Sequence, residues 1–91
     1  MTAETIAPVT VLGVVCAHRS DAWGTRTWAG ESAAGLTLHL THDSRGYSLS
    51  AFRSVDLLAH GHGATIEVAE EVCERRAMER QALLAHVRRV T

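Results

Sequence analysis

Residues Leu36 to Thr41 alternate without a break: Leu36, Leu38 and Leu40 are apolar, and Thr37, His39 and Thr41 are polar. Successive side chains of a strand point to opposite faces, so this run commits its sheet to one dry face and one wet face. The turn-forming residues His42, Asp43, Ser44, Arg45 and Gly46 follow, and Tyr47 to Ser50 continue as a strand, which predicts an antiparallel hairpin. A sheet with one dry face must be covered on that side, and helices are the expected cover.

The other elements are read from the same two periods. Residues 1–7 are small and polar and are expected as a disordered or frayed tail, and Pro8, the only proline, marks the start of a single domain over 8–91. Val9 to Val15 is apolar on both faces, which predicts a central first strand. Ser20 and Asp21 suit the cap of a helix over about 21–32, held by Trp23, Trp28 and Ala33 against the cost of Gly24 and Gly30. Phe52, Val55, Leu58 and Ala59 recur at helical spacing, which predicts a two-turn helix ending at Gly61. Ala64 to Ala69 alternates, with Ile66 and Val68 inward, and predicts a fourth strand. A last helix then begins between Glu70 and Glu74, with Cys73, Ala77, Leu84 and Val87 inward and Arg88 and Arg89 at its dipole-favoured end.

Size and charge narrow the function. A chain of 91 residues buries roughly 60–65% of its unfolded surface, so a shallow surface site is expected rather than an enclosed one. A formal charge of -1 and no uniformly basic face exclude nucleic acid and an anionic membrane as main partners. All nine basic residues are arginine, which leaves guanidinium groups suited to carboxylate or phosphate and no lysine chemistry. Cys16 and Cys73 match neither a metal pair nor a disulfide framework, so both are expected as free, buried thiols in a reducing cytoplasm. The N-terminal segment has no basic residue ahead of its short apolar run, so neither a signal peptide nor a membrane span is expected.

The resulting order is β-α-β-β-α-β-α, an α+β open-faced sandwich with a four-stranded antiparallel sheet, helices on one face, and His18 just after the first strand. This order resembles the histidine-containing phosphocarrier protein (HPr) family of the bacterial sugar phosphotransferase system. The resemblance covers about residues 8–90 and is best over Ser48 to Val68, where "SLSAFRSVDLLAHGHGATIEV" is similar to the family's short helix, turn and fourth strand. Where the family's active run is typically Gly-Leu-His-Ala-Arg-Pro, this chain has Cys16-Ala17-His18-Arg19-Ser20-Asp21, which shares the histidine and lacks the glycine, the arginine and the proline.

The resemblance implies that His18 carries a phosphoryl group between two protein partners. Arg19 would assist by charge, and the backbone amides of Ser20 and Asp21, at a helix N-terminus, would hold the group. It further implies that the family's regulatory serine falls at Ser50, or at Ala51 in a register shifted by one residue, with phosphorylation expected at Ser50, and that partners contact Trp23, Arg53, Leu57 and His60. No cofactor is implied, and the chain is expected as a cytoplasmic monomer. Asp21, a carboxylate beside the expected phosphoryl site, favours a second reading: the same fold as a non-catalytic adaptor or regulatory module that binds other proteins.

The remaining histidines and thiols carry weaker expectations. His60-Gly61-His62 would reach one metal ion only if His39 or His42 approached from the hairpin, and without further ligand spacing it reads as a polar turn, so no metal is expected. His86 is expected in solvent. Cys16, two residues from His18, reads as a buried strand-end thiol.

Overall fold

Five hairpin turns organise the chain. A computed structural model describes residues 6–90, with side chains described through Gln81. Among the described residues the strands are β1 (Val9–Val11), β2 (Val14–Ala22), β3 (Thr25–Glu31), β4 (Leu36–Asp43), β5 (Gly46–Arg53) and β6 (Asp56–Gly63), followed by one helix, α1 (Ile66–Val90). Each strand pairs antiparallel with the next, giving one six-stranded sheet in chain order. The sheet curls into a half-barrel with α1 against its last two strands.

This architecture overturns the expected β-α-β-β-α-β-α order with four strands. The first expected strand is two, because Leu12 and Gly13 take φ of 50° and 76° and reverse the chain between β1 and β2. The expected helix over 21–32 is the second half of a hairpin. Trp23 and Gly24 adopt φ of 55° and 75°, the left-handed pair that a two-residue hairpin turn requires. Thr25, Thr27 and Trp28 are better suited to a strand than to a helix. Inside β3, Gly30 leaves room for its neighbour strand, since a Cβ there would lie 2.5 Å from the Val15 carbonyl oxygen and 2.9 Å from Cys16 Sγ.

Two more elements are reversed. The expected helix from Phe52 is the β5–β6 hairpin, turning at Ser54 (φ 57°) and Val55. The expected fourth strand, Ala64 to Ala69, is the start of α1. Thr65 caps it: its hydroxyl accepts from the Val68 amide at 3.3 Å and its carbonyl from the Ala69 amide at 3.1 Å. Ile66 packs against the core, whereas Val68 is 43% exposed.

The core lies on the concave face. Val11, Cys16, Trp28, Leu38, Leu40, Leu49, Ala51 and Ala59 line it from six strands, and Ala69 and Cys73 cover it from α1. Cys73 is buried and Ala77 half-buried on the inward side of the helix. Leu84, His86, Val87, Arg88 and Arg89 lie outside the described side chains. Both cysteines are free and buried.

Helix α1 also ties down both ends of the sheet. Glu70 Oε2 accepts from the Leu12 amide at 2.9 Å, fixing the β1–β2 turn. Arg76 Nη1 donates to the His60 carbonyl at 2.9 Å and Arg80 Nη1 to the Leu57 carbonyl at 2.6 Å, satisfying acceptors on the edge strand β6. No helix among the described residues is long and apolar enough to cross a membrane.

Candidate functional site

A bulge in β2 builds the most organised polar cluster. His18 and Asp21 are three residues apart, so in a regular strand they would face opposite ways. The pairing register with β3 shifts between His18 and Ser20, and the extra residue brings both side chains to the concave face. His18 Nε2 then lies 2.9 Å from Asp21 Oδ1. The same oxygen accepts from Arg26 Nε at 3.0 Å. The His18 hydrogen bond, opposed by burial and aided by the hydrogen bond and charge of Arg26, holds the Asp21 carboxyl below its usual range.

Cross-strand register extends the cluster. Asp21 pairs with Arg26, Arg26 with His42, and His42 with Tyr47, so the four share one face at the rim beyond the core. His42 and Tyr47 stack with ring centroids 4.2 Å apart and planes at 24°. His18 meets the edge of Trp28 at 6.2 Å, and the Trp28 indole donates to the Ala7 carbonyl at 3.2 Å. An open cleft of about 480 Å³ lies here, lined by Asp21, Ala22, Trp23, Thr25, Arg26 and His42. Arg26 enters it with Nε committed to Asp21, and among the described residues its two Nη groups donate no hydrogen bond.

Trp23 stands at the tip of this hairpin. It is 102% exposed, whereas Trp28 is 6% exposed and belongs to the core. Its neighbour Gly24 is also exposed.

The expected site residues are dispersed. His18 is half-buried on β2 and engaged with Asp21, and Arg19 is exposed at the bulge. Ser20 and Asp21 sit in strand pairing with Thr27 and Arg26, so the helix N-terminus that was to supply their free amides is absent. Ser50 is on β5, with its hydroxyl 3.0 Å from His60 Nδ1 on β6. Arg53 pairs with Leu36 and Asp56, at the opposite end of the sheet from Trp23, and Leu57 lies beside them. His60, on the convex face, does not share a surface with Trp23.

His60-Gly61-His62, expected as a turn, lies inside β6. His62 Nδ1 is 3.0 Å from the Ser48 hydroxyl, repeating the Ser50–His60 pair one step along the sheet. Among the described residues no group of three or more His, Cys, Asp or Glu side chains is placed to hold a metal ion. Arg26 and Tyr47 were not singled out from the sequence, and His42 was weighed only as a metal ligand approaching His60 and His62. The signal available was Asp21-Ala22-Trp23-Gly24-Thr25-Arg26, which places Asp21 across from Arg26 once Trp23-Gly24 is read as a two-residue turn. No protein-family model, curated protein or solved structure matches the chain.

Proposed function

We propose that this chain is a protein-binding module whose contact surface is the tip of the β2–β3 hairpin, with Trp23 as its apolar anchor and Arg26 as its charged one. The observation that carries this is Trp23 itself, fully exposed in a left-handed conformation. Bulky residues disfavour that conformation, and asparagine or glycine would form the same turn more easily. Trp23 therefore adds nothing to folding, and its apolar area is gained only when a partner covers it. Tryptophan and arginine are the residue types that dominate binding energy at protein interfaces.

The surroundings suit such a role. The bonds from Asp21 to His18 and Arg26 brace the hairpin base, so little ordering is needed on binding. Arg26 offers its two Nη groups toward the cleft, which fits a carboxylate on the partner. The partner is thus a protein with an apolar pocket for an indole and an acidic residue at its rim. Phosphoryl relay at His18 is not carried forward, because its support was a helix N-terminus that is a strand here and because Asp21 occupies the imidazole Nε2.

The test is site-specific photo-crosslinking from position 22, beside the anchor. A single partner, identified and then purified, is expected to crosslink from position 22 and to compete with the uncrosslinked chain. A partner that crosslinks equally from an exposed position on α1 such as Glu79, and not preferentially from the hairpin, contradicts the proposal.

A further inference from the structure

We propose that His60 and His62 form a surface chelate for one divalent transition-metal ion, with Cu²⁺ preferred, on the convex face of β6. This site is independent of the hairpin tip and lies on the opposite face of the sheet. The two residues are two positions apart in a strand, so their side chains leave the same face with Cα atoms about 6.8 Å apart. Two imidazoles can lean together across that span to meet one ion at about 2.0–2.1 Å from each nitrogen.

The backbone that carries them is fixed. Gly61, between them, faces inward under α1, where a Cβ would lie 2.5 Å from the Cys73 amide nitrogen. The His60 carbonyl is held by Arg76 Nη1 at 2.9 Å. A ligand pair on such a strand has little freedom to lose on binding.

The rings are also oriented, and in the same way twice. His60 Nδ1 is 3.0 Å from Ser50 Oγ and His62 Nδ1 is 3.0 Å from Ser48 Oγ, both hydroxyls coming from the adjacent strand β5. When each Nδ1–H donates to its serine oxygen, the lone pair is on Nε2, on the outward side of the ring. A hydrogen bond from the non-ligating nitrogen fixes the tautomer and raises the basicity of the other, and this is the support that metal-binding histidines commonly have.

The ligand set is two imidazoles. His39 lies across Ser50 on the same face, but its ring packs edge-on against Phe52 with centroids 5.5 Å apart, so water completes the coordination. Imidazole suits Cu²⁺, Ni²⁺ and Zn²⁺, and among these Cu²⁺ binds a given nitrogen set most strongly.

Titration calorimetry of the whole chain with Cu²⁺, and separately with Zn²⁺, tests this, with the fold of each variant checked by circular dichroism. Cu²⁺ is expected to bind this site more tightly than Zn²⁺, and ten-fold or more weaker in His60→Ala or His62→Ala, with His39→Ala unchanged. Electron paramagnetic resonance of the Cu²⁺ form is expected to show two imidazole nitrogens, reduced to one in each single variant. The Ser48→Ala, Ser50→Ala double variant should lose affinity a few-fold and keep both nitrogens. Full Cu²⁺ affinity in the His60→Ala, His62→Ala double variant overturns the proposal.

Discussion

Gly61 lies directly beneath Cys73, so close that a Cβ at position 61 would sit 2.5 Å from the Cys73 amide nitrogen and 3.0 Å from its Cα, and would also meet the Ala69 carbonyl oxygen. The approach of α1 to β6 is therefore limited by the absence of a side chain at one position. The atoms it would strike are helix backbone, which cannot rotate away. Gly61→Ala is expected to lower stability by about 1–3 kcal/mol through overpacking. Urea denaturation measures this, and an unchanged midpoint would show that α1 does not sit on β6 at this distance.

The Asp21 cluster predicts a specific acid sensitivity. Its carboxyl is lowered from the ordinary value of 3.8, first by the His18 hydrogen bond, so the folded state favours the charged form. That contribution is present above the ordinary carboxylate range and is lost as pH falls through the folded value. The stability difference between the wild type and Asp21→Asn should thus be greatest above about pH 5 and shrink toward acid. Equal pH profiles for the two proteins would mean that the bulge in β2 does not hold His18 against Asp21.

Burial pushes the Cys16 thiol up, and burial, aided by Glu74, pushes the Cys73 thiol up, with Arg76 opposing the latter. Both thiols stay protonated near neutral pH and lie out of reach in the core. Native protein is expected to react with a thiol reagent such as dithiobisnitrobenzoate at least about ten-fold more slowly than the same chain in denaturant. Rapid native reaction of either cysteine would contradict its placement under α1 or between β1 and β3.

The contrast between the legible and illegible parts of the sequence has physical causes. The Leu36–Leu40 alternation reports its strand because one face is buried and the other is not: Leu38 and Leu40 are fully buried while His39 is exposed. Trp23-Gly24 hid a hairpin because tryptophan is an unusual first residue for such a turn, and Ser20-Asp21 offered an apparent helix cap in its place. Phe52, Val55, Leu58 and Ala59 fit a helical period by coincidence, since Phe52 and Leu58 face outward, Val55 is in the turn and Ala59 faces the core. Thr65 caps α1, but with Ile66 and Val68 it read as part of a strand because β-branched residues favour one. The site was less legible than the fold. His18 meets Asp21 only through the bulge, and Arg26 meets His42 only through the register of two strands that the sequence had suggested were a helix and a strand.

Trp23→Asn separates binding from folding at the hairpin tip. Asparagine accepts the left-handed turn position more readily, so stability is expected to hold or rise by up to about 1 kcal/mol. The most direct measurement is the dissociation constant of the purified, crosslink-identified partner for wild type, Trp23→Asn and Arg26→Gln, with each variant's denaturation midpoint measured alongside. Trp23→Asn is expected to bind about 30-fold or more weakly at unchanged or higher stability, the loss of a hot-spot residue of about 2 kcal/mol or more, and Arg26→Gln about ten-fold more weakly. Wild-type affinity in Trp23→Asn would show that the hairpin tip is not the contact surface.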